Sequence, residues 1–295
     1  MSPRFFSITS VGFAVWLFLL EGAFAQIGGL DASFTTGPLL NGASAGIIRS
    51  QAVLSNGQIL IGGDFTTVAG IPRGRIARLN AVGSLDAAFA NGAGANGVIH
   101  ATVVQADGKI IIGGEFTTFD GVARNRIARL TATGALDTTF NPGTGFNGPV
   151  FAIVSNASAS SIYVGGDFTT FNGSTRNRLA VVTSTGGQLS DTFGGGTNAA
   201  VRALRLDTSY LYVGGDFTIA GGQARNSFAR YLTTFTMLDS ATANFNGPVY
   251  AIDIINPGGS SSSSLLMVAG DFTLRRRLHA VGWRVLPCLQ DRRCS

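Results

Sequence analysis

The sequence predicts an all-β fold, a β-propeller of about five four-stranded blades. Three observations predict it. One short motif recurs five times at a spacing of about 52 residues, each interval divides into four strand-like runs, and glycine punctuates the turns between them.

The motif is Gly62-Gly63-Asp64-Phe65-Thr66-Thr67, repeated as Gly113-Gly114-Glu115-Phe116-Thr117-Thr118 and Gly165-Gly166-Asp167-Phe168-Thr169-Thr170. A fourth copy is Gly214-Gly215-Asp216-Phe217-Thr218, and a fifth is Ala269-Gly270-Asp271-Phe272-Thr273. The carboxylates are 51, 52, 49 and 55 residues apart, a regularity that marks repeated supersecondary units. Nine residues after the carboxylate stands an arginine: Arg73, Arg124, Arg176 and Arg225. A third landmark is Leu-Asp with a phenylalanine shortly after it, at Asp31 with Phe34, Asp86 with Phe89 and Asp137 with Phe140. Asp191 with Phe193 and Asp239 with Phe245 are looser versions.

Strands are read from alternation and turn chemistry. In the second unit, Val98 to Val104 and Lys109 to Phe116 flank Asp107-Gly108, a hairpin signal. Arg126 to Thr131 and Leu136 to Phe140 supply two further strands. Four strands in about 50 residues suit a propeller blade, whereas a β-helix repeats at about 20–30 residues and a sandwich has no cause to repeat.

The apolar run closing in Gly-Gly-Asp-Phe-Thr, the downstream arginine and the Leu-Asp-x-x-Phe element together resemble the delta-60 repeat, a β-propeller-type repeat of secreted bacterial proteins. The resemblance spans residues 29 to 273; a weaker one is to kelch blades. It implies a propeller and an exported location, and no catalytic activity.

The chain is expected to divide into a signal peptide (1–25), the propeller body (26–273) and an aberrant basic tail (274–295). Arg4, the apolar run from Phe5 to Leu20 and Ala23-Phe24-Ala25 form the secretory pattern, with cleavage before Gln26. That apolar run is shorter than the ~20 residues of a spanning helix. The first Leu-Asp element precedes the first full unit, and the last unit lacks one. Leu30 to Phe34 is therefore expected to complete the last blade, the alternative being an incomplete ring.

The formal charge of +5 is a property of the ends. Outside 26–273 lie seven of the 21 basic residues and two of the 16 acidic ones, so the body carries 14 of each. This neutrality excludes a phosphate-tracking groove, and with it nucleic acid as a partner. Both cysteines, Cys288 and Cys294, belong to the tail, so sheet packing and not a disulfide framework must stabilise the body.

Chemistry-bearing residues are few. Ten of the body's acids are landmarks, Asp107, Asp120 and Asp207 fall at turns, and Asp253 alone is unexplained by the repeat. Residues present in every blade suit a framework better than a single active site. Accordingly Asp64–Arg73, Glu115–Arg124, Asp167–Arg176 and Asp216–Arg225 are expected to form charge-assisted pairs that lock each blade. The rival is a ring of identical sites for a repeated ligand. His100 is the body's one histidine, and neither a zinc set nor a calcium loop is present, so no metal or cofactor is expected. The reading is a non-enzymatic exported scaffold for an extracellular protein or polysaccharide. Two alternatives are a glycan-active enzyme using Asp253 with a turn aspartate, and a purely structural envelope module.

Overall fold

A computed structural model describes residues 40–41, 46–188, 193–233, 237–239, 243, 245–255 and 265–273. The expected signal peptide, the clasp at Leu30 to Phe34, Asp31, Asp191 and the tail lie outside the described residues. Among the described residues every regular element is a β-strand, and all strand pairs are antiparallel.

Five sheets follow one another as blades. The first three each hold three strands in sequence order: Ile47–Val53, Ile59–Asp64 and Ile76–Leu79; Ile99–Val104, Ile110–Gly114 and Ile127–Leu130; Val150–Ser155, Ser161–Gly166 and Leu179–Thr183. The fourth has four, Val201–Leu206, Tyr210–Gly215, Phe228–Leu232 and Met237–Leu238, and the fifth pairs Val249–Ile255 with Leu265–Gly270. The first strand of each blade lies against the first strand of the next, the innermost position in a propeller.

In blades one to three the expected fourth strand shrinks to a single bridge, Leu79–Leu85, Leu130–Leu136 and Val182–Gln188. The aspartate next in line explains this in blades one and two. Asp86 Oδ1 accepts the Ala88 N–H and Asp137 Oδ1 the Thr139 N–H, so the chain turns where a strand would continue.

Between second and third strands each of the first four blades inserts a two-stranded ribbon, such as Thr118–Phe119 with Val122–Ala123. Its turn residues, Asp120 and Gly121, have φ of 48° and 75°, as a tight hairpin turn demands.

Each first strand carries a β-bulge at its start, between Ile48 and Ser50, Ile99 and Ala101, Val150 and Ala152, Val201 and Ala203, and Val249 and Ala251. The Gly-Gly doublet exists for these close approaches. A Cβ on Gly114 would overlap the Val98 carbonyl oxygen of its own blade. One on Gly113 would stand 2.5 Å from Val150 Cγ1 and 2.6 Å from Ile153 Cδ1 of the next. The motif phenylalanines Phe65, Phe116, Phe168 and Phe217 are fully buried, and apolar clusters run across each blade boundary.

Candidate functional site

The repeated carboxylates do not pair with the arginines nine residues on, which corrects the expected Asp64–Arg73, Glu115–Arg124, Asp167–Arg176 and Asp216–Arg225 pairs. Asp64 faces Arg75 Nε at 3.8 Å and Asp167 faces Arg178 Nε at 3.2 Å, eleven residues on in both cases. Glu115 binds His100 at 2.9 Å. In the fourth blade Ser227 takes the place of that arginine, and Asp216 instead accepts a two-pronged bond from Arg202 Nε and Nη2 at 2.7 Å.

The ribbon turn is the physical reason. It reverses the chain between carboxylate and arginine, so Arg73 and Arg124 donate Nη1 to Pro72 O and Ala123 O, beside them on the ribbon. Arg225 Nη2 reaches Asp239 O at the fourth-strand side of its blade. Arg176 likewise donates to Thr175 O. The arginines two residues later have φ near 65°, at Arg75, Arg126 and Arg178. From there they donate to Ala95 O, Phe146 O and Thr197 O at the entry to the following blade.

The buried ion pairs are elsewhere, at the Leu-Asp landmark. Asp86 binds Arg78 Nε at 2.7 Å, Asp137 binds Arg129 Nε at 2.8 Å, and Asp239 binds Arg230. Arg78 and Arg129 also reach Ala132 O and Ser184 O of the next blade. Burial alone would raise the Asp137 carboxyl, but the Thr139 hydroxyl and N–H and the Arg129 guanidinium hold it down to about 2. Asp86 is lowered in the same way. These groups are the framework.

A second repeated device went unread in the sequence. Asn96, Asn147, Asn198 and Asn246, just before the bulges of blades two to five, accept N–H bonds from the threonine segment after the carboxylate. Asn147 Oδ1, for example, takes both Thr169 and Thr170 N–H at 2.8 and 2.9 Å. The clip fixes the two segments that carry bulge residue and carboxylate.

What those segments present is not repeated. The residue extruded by each bulge is Arg49, His100, Phe151, Arg202 and Tyr250 in turn, whereas its neighbours keep an Ile/Val-x-Ser/Ala pattern. Of these, His100, Phe151, Arg202 and Tyr250 make one row along the inner rim of the blades. The His100 ring stands edge-on to Phe151 with centroids 5.3 Å apart. The Arg202 guanidinium lies 5.5 Å from the Phe151 centroid and 5.7 Å from that of Tyr250. Glu115, Asp167 and Asp216 edge the row, with side chains 49%, 52% and 29% exposed. Asp216 strengthens the protonated state of Arg202 against its partial burial, and Asp167 adds to the effect.

The remaining acids have local partners. Asp107 caps Lys109 N, Asp120 accepts Ala93 N, and Asp207 accepts Ser209 N and Tyr210 N together with the Tyr212 hydroxyl. Burial and that bond raise the Tyr212 hydroxyl well above its ordinary range. Asp253 is two-thirds exposed and pairs with Arg205 at 3.3 Å. Among the described residues no group of three or more His, Cys, Asp or Glu side chains is placed to hold a metal.

Fold and rim define a repeat protein of the β-propeller class. A model of the family described as a domain of unknown function (DUF5122), beta-propeller, matches residues 54–89, 105–140 and 161–186. Those three segments are similar to that family's propeller repeat. No curated protein sequence matches. Among solved structures, the computationally designed Ika8 protein is similar at 14% identity and a TM-score of 0.49, over 75% of this chain and 57% of its own. Sqt1 of Saccharomyces cerevisiae is similar at 10% identity and a TM-score of 0.49, over 76% of this chain and 57% of its own. The chain thus spans less than two thirds of the length of either.

Proposed function

We propose that this chain is an exported, non-enzymatic propeller scaffold that binds an extracellular protein or glycan through the inner rim. The observation that carries the reading is the bulge position. The repeat dictates everything around it, yet it holds a different chemical type in almost every blade. A position that the fold leaves free, on a rigid support, suits recognition.

The absence of turnover is part of the proposal. Asp64, Asp167 and Asp216 are each paired with an arginine and Glu115 is hydrogen-bonded to His100, while Asp253 is an exposed ion-pair member without the apolar setting that raises a catalytic acid.

The test uses the full chain and envelope material from producing cells. Wild type is retained on the material, and a Phe151→Leu/Arg202→Ala variant with an unchanged melting temperature is not. Equal retention of both removes the rim from the reading. No new reducing ends are released during incubation; their release would favour the enzyme alternative. Export predicts a mature protein beginning at Gln26 in the medium or at the cell surface, and an intact Met1 chain confined to the cytosol would refute it.

A further inference from the structure

Resting on the rim as the binding face, we infer that its ligand is an uncharged polysaccharide laid along the row from His100 to Tyr250. Three features converge on that class. The first is charge. Asp167 and Asp216 already have arginines, Arg178 and Arg202, and Glu115 shares a hydrogen bond with His100. Between His100 and Tyr250 the one arginine of the row is therefore already committed to a carboxylate, and an anionic polymer would have to break that pair to use it.

The second feature is the alternation of surfaces. Phe151 and Tyr250 are half-buried rings flanking the Arg202 guanidinium, with the His100 ring edge-on at one end. A pyranose has an apolar C–H face that packs on an aromatic ring and an equatorial rim of hydroxyls. Those hydroxyls can donate to the outer oxygens of Glu115, Asp167 and Asp216 and accept from Arg202. Few other ligands present both surfaces at every repeat.

The third is spacing. Successive members of the row stand 5.3, 5.5 and 5.7 Å apart, the scale of one hexopyranose ring. The row crosses four blades, from the second to the fifth, so a chain of several sugars fits better than a monosaccharide. Weak contacts repeated along a polymer add through effective concentration.

The full chain is run in native gels containing dextran, a soluble β-glucan or a galactomannan, and in parallel gels containing alginate. Retardation by at least one neutral polymer is expected, little changed by added salt because no net charge is being neutralised. Phe151→Leu and Tyr250→Leu, which keep apolar bulk but lose the ring, weaken it about three- to tenfold each. Their melting temperatures separate lost binding from lost fold. Retardation by none of the neutral polymers, or by alginate alone in a salt-sensitive way, overturns the inference. The envelope assay separates this failure from that of the rim itself. If rim variants lose retention, yet protease and not periodate treatment of the material abolishes wild-type retention, the ligand is protein and only the polysaccharide falls. If rim variants are retained like wild type, the rim reading falls too.

Discussion

Arg129 and Asp137 form a buried ion pair at 2.8 Å, with side chains 8% and 7% exposed, at the seam between the second and third blades. Arg129 also donates to Ser184 O across the seam and covers the Phe140 ring at 5.2 Å. One blade on, the same third-strand position is the buried Val181. The third-strand position therefore accepts an apolar side chain in place of the arginine. Removing Asp137 leaves a buried guanidinium without its carboxylate, and removing Arg129 leaves Asp137 only the more distant Lys109 Nζ at 3.5 Å, changes that cost up to about 3–5 kcal/mol. Arg129→Val and Asp137→Leu are each expected to destabilise on that scale, and the double variant to recover to within about 1 kcal/mol of wild type. Urea denaturation of the four proteins closes the cycle, and additive losses would show that the two residues are not coupled.

The same pair sets an acid limit. The Asp137 carboxyl is lowered from 3.8 to about 2 in the fold, so between those values the unfolded chain binds the extra proton. Its contribution, about 2 kcal/mol, is complete above pH 4 and is lost as pH falls toward 2. Asp86 acts in the same direction. Stability of wild type measured from pH 5 to 2 should fall more steeply than that of the Arg129→Val/Asp137→Leu variant. Parallel curves would assign the acid sensitivity to other groups.

The framework was legible in the sequence because it recurs. Phe116 and its equivalents mark the core, and the second unit's strands lie within two residues of their expected bounds, except the fourth. Pairing was not legible. A spacing of nine counts residues along the chain but carries no record of the left-handed turn at Asp120 and Gly121, nor of the positive φ at Arg75, Arg126 and Arg178. Those conformations put the arginine at eleven, not nine, beside the carboxylates of blades one and three. The rim escaped for the opposite reason. Comparison of repeats draws attention to what recurs, and Arg49, His100, Phe151, Arg202 and Tyr250 share only the bulge that extrudes them.

The Gly-Gly doublet yields an ordered prediction. Gly215→Ala drives a Cβ into the Ala200 carbonyl oxygen, a backbone atom that cannot swing away. Gly214→Ala meets side-chain atoms, Val249 Cγ1 at 2.5 Å and Ile252 Cδ1 at 3.0 Å, which can yield at a cost of about 1–3 kcal/mol. In the fifth blade the equivalent of Gly214 is already Ala269, and it is exposed. Ala269→Gly should cost only the backbone entropy of a strand glycine, about 0.5–1 kcal/mol. Denaturation midpoints are expected to fall most for Gly215→Ala, less for Gly214→Ala and least for Ala269→Gly; equal losses at the last two would mean that Ala269 is packed as Gly214 is.

Asp167 separates recognition from framework. Its side chain is half exposed, it meets Arg178 at 3.2 Å, and it lies in the field of Arg202. Solvent-screened pairs of this kind contribute about 0–1 kcal/mol, so Asp167→Asn should leave the melting temperature nearly unchanged. The same change removes a rim acceptor and frees Arg178, upsetting the charge match that favours an uncharged ligand. Retention on a neutral polysaccharide should weaken, and affinity for alginate should rise at low salt. Measuring melting and retention on one preparation distinguishes the roles. A loss of stability comparable to that of Arg129→Val would make the repeated carboxylates part of the framework, whereas unchanged stability with altered retention places them at the ligand.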